Sequence, residues 1–411
     1  MLIYHFLTFI YYSLIRIGAF FHTKARRWTD GRRHVFQQLE AAFADRKPGL
    51  WMHCASLGEF EQGRTLLEAF RREKPGLKIL LTFFSPSGYE MRKNTPLADV
   101  VTYLPADTPA NVRRFLDCVN PQLVIFVKYE FWFGYLLELK RRHIPLFLIA
   151  AILRKNQPFF QGYGSLHRRM LSCFTRIYVQ NEESVKLLAT ATKTPVTLAG
   201  DPRIDRVLEI AAQDKTFPLI RQFCGSSPVL VAGSTWLEDE KLLQQVFSTR
   251  HLKGWKLIIA PHEVNAAHVE VLRERFAGHC LLYAELEKNP SVPFPPVLII
   301  DRIGLLAWLY RYGRIAYIGG GFGNGIHNTL EPLAFGLPVI FGPRYQKFEE
   351  AHVLIRNGGG FSIHNPSGFL RVFDQLQDPV NYQHATQAAF NYLTINKGAT
   401  DRIVKDLMDV V

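Results

Sequence analysis

From Leu50 onward, short apolar runs alternate with amphipathic segments. That alternation restricts the chain to α/β units with parallel strands. The runs "LWMHCA", "KILLTFF", "LVIFV", "PLFLIAA" and "RIYVQ" read as strands, with helical stretches such as Glu59 to Lys74 between them. The pattern pauses at "LAGDPRIDRV", Leu198 to Val207, and restarts with "PVLVAGS", "KLIIAP", "CLLYA", "PVLIID" and "RIAYIGGG". Two successive halves of about five strands each fit two Rossmann-like domains facing one another across a cleft, with ligands beyond the carboxyl ends of the strands. A length of 411 residues suits two domains. The expected division is a helix at 1–23, one domain at 24–200 and a second at 201–411, with the final helices as candidates to cross back. Past Gly368 the chain reads as helical to its end.

A hydrophobic content of 48% with 21% charged residues excludes a disordered chain. The 49 Lys+Arg against 36 Asp+Glu favour acidic substrates, anionic lipid or nucleic acid. No aromatic-basic RNA motif and no DNA-reading signature is present, so nucleic acid is set aside. Five cysteines without C-x-x-C spacing read as buried thiols of a reducing compartment. "NPSVPFPP", Asn289 to Pro296, reads as a surface loop.

The amino terminus, "LIYHFLTFIYYSLIRIGAFF", approaches the length of a membrane span but carries His5 and Arg16. At helical spacing His5, Thr8, Tyr12 and Arg16 share one stripe, which suits an interfacial helix as well as a short span. A terminal helix packed on the protein is the plainer alternative. Lys24, Arg26, Arg27, Arg32 and Arg33 follow the apolar run, an order that argues against a secretory signal and places the rest of the chain on the cytoplasmic, anionic face of a membrane.

Polar residues gather after the strands, each with a plain structural reading beside the functional one. Ser56 and Glu59 have capping-box spacing, yet a carboxylate at a helix start also suits a general base. Ser85, Ser87 and Gly88 are either a turn or a polar-ligand contact. Glu130 sits where a strand should end and pairs with Lys128 in the plain reading. Gly233, Ser234 and Thr235 at a strand-to-helix turn either cap the helix or hold phosphate. Pro261 and His262 end another strand, with His262 structural or a donor to phosphate; His262 has the wrong spacing for an H-E-x-x-H zinc site.

The stretch "GGGFGNGIHNTLEPLAFGLPVIFGP", Gly319 to Pro343, matches neither G-x-G-x-x-G nor the P-loop. It reads as a flexible loop feeding a helix that starts Asn328-Thr329-Leu330-Glu331. The N-x-x-E spacing alone would be a cap, but the glycines allow close approach to a ligand and Glu331 suits vicinal ribose hydroxyls.

Together "WMHCASLGE", "KYEFW", "GDPRID" and "GIHNTLEP" resemble the 3-deoxy-D-manno-octulosonic acid (Kdo) transferases, membrane-associated glycosyltransferases of the GT-B fold. The resemblance implies transfer of Kdo from CMP-Kdo to a lipid A precursor on the cytoplasmic face of the inner membrane. It implies Glu59 as general base and Glu130 and Arg203 as transition-state support. It also implies CMP contacts at Pro261, His262, Gly319, Gly320, Gly321, Asn328, Thr329, Leu330 and Glu331. Ser234 and Thr235 at their turn, and Ser56, are further candidates for phosphate or sugar contact. Pro-His-Glu stands here where many members have Arg-His-Pro-Glu, and Arg203 replaces the more usual Lys. The absence of an Asp-x-Asp pair predicts transfer without a metal, the phosphate leaving against helix termini, Arg203 and His262, and no other cofactor is expected. In-line attack by the acceptor hydroxyl would invert the anomeric centre. Another GT-B enzyme, such as a nucleotide-sugar epimerase, is the alternative.

Overall fold

The computed structural model describes residues 2–249, 252–290 and 293–410. The side chain of His5 and part of the 289–296 loop lie outside the described residues. The chain divides into two compact units, 1–205 with 397–411, and 206–396.

The first unit holds seven strands: β1 (Leu50–Cys54), β2 (Ile79–Phe83), β3 (Val100–Tyr103), β4 (Leu123–Val127), β5 (Leu146–Ala151), β6 (Arg176–Val179) and β7 (Val196–Leu198). Their order across the sheet is β3-β2-β1-β4-β5-β6-β7, and every pair is parallel. The second unit holds β8 (Val229–Thr235), β9 (Lys256–Pro261), β10 (Cys280–Leu282), β11 (Val297–Ile299), β12 (Ile315–Ile318), β13 (Val339–Phe341) and β14 (Gly360–Ser362). Their order is β10-β11-β9-β8-β12-β13-β14, again all parallel.

The expectation of about five strands per half is therefore too low; each sheet has seven. Four strands lie outside the ten runs read as strands: β3, β7 and β14 at sheet edges, and β13, the short "VIF" inside the second sheet. An edge strand has one neighbour and needs fewer apolar residues, so "VTL" and "GFS" carry little signal. The central strands β1, β2, β4 and β5 are buried at every position. Parallel strands covered on both faces read as unbroken apolar runs, which is why these were legible.

In each sheet the strand order reverses once, between β1 and β4 in the first unit and between β8 and β12 in the second. The loops leaving those strands diverge and open a crevice at their carboxyl ends.

The last helix, Ala399–Met408, belongs to the first unit. Its Ile403, Val404 and Leu407 join the cluster that includes Leu66 and Phe70 of the helix Leu57–Glu73. Asp205 accepts from the amides of Gly398 (2.6 Å) and Thr400 (2.7 Å), placing a carboxylate at that helix's amino end.

The helix Leu2–Gly18 inverts the expected polarity. Thr8 and Tyr12 of the polar stripe are buried. Tyr4 donates to Asp107 (2.5 Å), Tyr12 accepts from the Asp107 amide (2.9 Å), and Asp107 accepts from the Gly134 amide (3.0 Å). The exposed face carries Phe6, Leu7, Phe9, Leu14 and Ile17. Among the described residues no helix is long and apolar enough to cross a membrane.

Leu407 is fully buried and Lys405 of the same helix is exposed. Leu407→Ala should cost the first unit about 3 kcal/mol, within the usual range for a core leucine. Lys405→Ala should change stability by less than about 0.5 kcal/mol, with urea unfolding as the measurement.

Candidate functional site

The first cluster lies where the order of the first sheet reverses. Ser56 follows β1 and stands at the amino-terminal cap of the helix Leu57–Glu73, but its side chain does not cap. Its hydroxyl is donated to the Glu59 carboxylate, so the capping box expected from the spacing is not formed. Glu59 is half-buried in the first turn.

Glu130 lies beyond β4, before the helix Phe133–Arg141, and is buried in a hydrogen-bonded network. Glu130 Oε2 accepts from Trp132 Nε1 (2.6 Å) and lies 2.9 Å from His53 Nε2. His53 is fully buried, one residue before the end of β1, with Nδ1 2.9 Å from Thr82 Oγ1. Trp51 Nε1 donates to the same Thr82 oxygen (2.8 Å). His53 Nδ1 also lies 3.1 Å from the Thr82 carbonyl, so Trp51, Thr82, His53 and Glu130 form one buried hydrogen-bonded network. His53 Nε2 and Trp132 Nε1 converge on one Glu130 oxygen.

Both carboxylates act on Cys54, whose thiol pKa is raised first by burial and then by the charges of Glu59 and Glu130. Past β7, Arg203 turns back on Asp201, with Nε and one terminal nitrogen 2.9 and 2.6 Å from Asp201 Oδ2. Ser85 accepts from the Ser87 amide (3.3 Å) as the cap of the helix Pro86–Arg92, which is its turn reading.

The second cluster lies at the reversal of the second sheet. Ser234 has φ +53° at a register shift between β8 and β9. The cap position belongs to Trp236, whose amide donates to Asp239 (2.9 Å), so Ser234 is not the cap. Thr235 is fully buried and its hydroxyl donates to Glu240 (3.1 Å), which turns this expected phosphate contact inward.

Asp239 is also buried, and it accepts from the Gly320 amide (2.8 Å) and the Tyr317 hydroxyl (2.7 Å). Burial raises its pKa, against the pull of these donors. One carboxylate thus holds the helix start after β8 and the glycine loop after β12.

The glycines have internal reasons. A Cβ on Gly319 would lie 2.2 Å from the Ser234 carbonyl oxygen, and one on Gly321 would lie 2.6 Å from the Gly342 backbone. Gly320 has φ +89°, a conformation only glycine adopts freely. The Gly319 amide donates to Gly233 (2.9 Å), so two amides of this loop are used within the fold.

The helix after the loop is one turn, Leu330–Leu333, shorter than expected and starting after Asn328. Asn328 accepts from the Leu330 amide (3.1 Å) and donates to Glu331 (3.0 Å). Thr329 is fully buried, and its hydroxyl has no hydrogen-bond partner among the described residues.

Three rings close the cluster. Trp236 Nε1 donates to His327 Nε2 (2.9 Å), with the rings only 14° from coplanar. His262 lies on this pair, its centroid 4.6 Å from Trp236 and 4.4 Å from His327. His262 follows β9, while Pro261 is that strand's buried last residue. Burial, reinforced by neighbouring His262, lowers His327 to about 4. The Trp236 bond needs His327 Nε2 unprotonated, in agreement with that direction.

Sequence reasoning brought Glu59, Glu130, His262 and the glycine loop to two sheet reversals, but missed His53, Trp236, Asp239 and His327. His327 lay inside "GIHNTLEP" and His53 inside "WMHCASLGE". The signal was position within a motif, since ring stacking has no sequence period.

Two parallel-sheet α/β units, each with one reversal of strand order, define the GT-B fold. A fold match supports this: the UDP-GlcNAc 2-epimerase from Neisseria meningitidis, solved bound to UDP-GlcNAc, superposes with a TM-score of 0.60 over 88% of this chain and 99% of its own, at 16% identity. The family model described as 3-deoxy-D-manno-octulosonic-acid transferase matches residues 27–206. The 3-deoxy-D-manno-octulosonic acid transferase of Aquifex aeolicus is 30% identical over 337 residues, spanning 80% of this chain and 86% of that protein. Its counterpart from Haemophilus influenzae is 27% identical over 370 residues, 87% of this chain and 86% of that one. The chain belongs to the Kdo transferase family and is a glycosyltransferase.

Because His327 is held neutral, the unfolded chain binds a proton that the folded protein refuses between pH about 6.5 and about 4. Stability should therefore fall as pH drops through that window. In His327→Asn the fall should be shallower, measured as melting temperature against pH beside the parent protein.

Proposed function

We propose that this enzyme transfers Kdo from CMP-Kdo to a hydroxyl of a lipid A precursor, with inversion and without a metal, in lipopolysaccharide core biosynthesis on the cytoplasmic side of the inner membrane. The observation that carries the reading is the placement of Glu59 and Glu130 after the two strands that flank the reversal of the first sheet. The donor half is assigned to the second unit, around His262, Gly320 and Asn328 to Glu331.

In this mechanism Glu59 takes the proton of the acceptor hydroxyl as its oxygen bonds to the anomeric carbon of Kdo. The bond from that carbon to the phosphate oxygen breaks, and CMP leaves with the electron pair. The Ser56 hydroxyl fixes the Glu59 carboxylate. Glu130, oriented by His53 and Trp132, supports the charge developing on the oxocarbenium ion. Arg203, aligned by Asp201, is assigned to the departing phosphate. The metal-free reading rests on the missing Asp-x-Asp pair. A membrane-facing role is supported by the exposed apolar face of Leu2–Gly18 followed by a basic segment.

Glu59→Gln should lower kcat by about 10²–10⁴, the usual worth of a positioned base, while leaving CMP affinity within about twofold. Chelator should leave the parent rate unchanged. A Glu59→Gln protein that transfers at the parent rate, or a rate abolished by chelator, would contradict this mechanism.

A further inference from the structure

Two neighbouring cavities in the first unit take no part in the mechanism above. The larger, about 540 Å³, is walled by Tyr11, Ile15, Ala25, Trp28, Phe84 and Pro86, with Lys24 and His22 also bordering it. Its lining is mostly apolar. The smaller, about 250 Å³, is bordered by Arg16, Arg32, Arg33 and Asn111. Trp28 lines both.

Trp28 is only 7% exposed, and its indole Nε1 is buried without a hydrogen-bond partner among the described residues. An orphaned donor of this kind costs stability unless a ligand or water meets it. Arg32 lies over the Trp28 ring, 3.7 Å from its centroid. It donates to the carbonyls of Leu104 (2.8 Å), Trp28 (3.0 Å) and Phe84 (2.8 Å), which are neutral acceptors. Burial pulls its pKa down to about 9. Arg33 is exposed and pairs with Asp30 at 2.9 Å, and Arg16 is exposed at the end of its helix.

The wall of the apolar cavity is linked by packing to Glu130. Phe84 in its wall stacks on Trp132, with centroids 4.7 Å apart and planes 28° apart. Trp132 is the donor that holds Glu130.

We infer that the two cavities form one site for the acceptor lipid, taking an acyl chain in the apolar cavity and a phosphate in the arginine-lined one, with the Trp28 N–H donating to an oxygen of the same molecule. This rests on the acceptor reading above and adds to it where the acyl and phosphate groups sit. An acylated, phosphorylated sugar is the chemistry that matches adjoining apolar and cationic cavities whose wall packs on the tryptophan that holds Glu130. A bare phosphate would leave the larger cavity unfilled, and a neutral lipid would leave Arg32, held among the described residues only by neutral carbonyls and rings, without a counter-charge.

The test compares a tetraacylated, bisphosphorylated lipid A precursor with its deacylated counterpart as acceptors for the full chain. Ala25→Leu, which narrows the apolar cavity, should raise KM for the acylated acceptor about tenfold, roughly the worth of two displaced methylenes. It should leave kcat, and KM for the deacylated acceptor, within about twofold. Arg16→Gln with Arg33→Gln should raise KM for the bisphosphorylated acceptor and not for its dephosphorylated form. A binding arm needs no turnover: the acylated precursor should bind Ala25→Leu protein more weakly than the parent in detergent micelles.

Equal changes for both acceptors, or no change in binding, would overturn the site. So would phosphatidylglycerol displacing the precursor at equal acyl concentration, because the cavities would then hold bilayer lipid. Failure of the parent protein to transfer to either acceptor would overturn the proposed function instead, and the binding arm would still decide the cavities.

Discussion

Every paired strand in both sheets runs parallel, and most of what this molecule does follows from that register. Parallel strands need crossovers, so each sheet is covered on both faces and its central strands are apolar throughout. All carboxyl ends of a sheet then share one edge. Where the order reverses, between β1 and β4 and between β8 and β12, the loops part. Glu59 and Glu130 leave the first reversal, while Trp236 and the glycine loop leave the second.

Each cluster is held by buried polar groups rather than by surface ion pairs. In the first, His53 connects the strand interior to Glu130 through complementary hydrogen bonds. In the second, Asp239 joins the turn after β8 to the loop after β12 with three donors. Such groups are costly to bury unless satisfied, and once satisfied they fix geometry closely. The glycines at 319 and 321 belong to the same economy of space, because the backbone of that loop runs against Ser234 and Gly342.

The strands that were legible in the sequence are those buried on both faces, such as "LVIFV" and "KLIIAP", whose observed bounds match the apolar runs. Edge strands β3, β7 and β14 were not, because an edge can be short and partly polar. At the site, strand-end position and motif order pointed to Glu59, Glu130 and His262. Side-chain direction could not be read: Ser56 and Glu59 at cap spacing bond side chain to side chain, and Thr235 at a turn points inward to Glu240. The terminal helix shows the same limit, since the stripe of Thr8 and Tyr12 faces the protein and the apolar stripe faces outward. Polarity along a helix names two faces but not which of them the fold buries.

The central claim is that this chain moves Kdo from CMP-Kdo onto a lipid A precursor. Mass spectrometry of the glycolipid after incubation of the protein with both substrates tests it directly. The account predicts a precursor heavier by one or more Kdo residues, with release of a matching amount of CMP. An unmodified precursor beside consumed CMP-Kdo, or a changed nucleotide sugar formed without any acceptor, would contradict it.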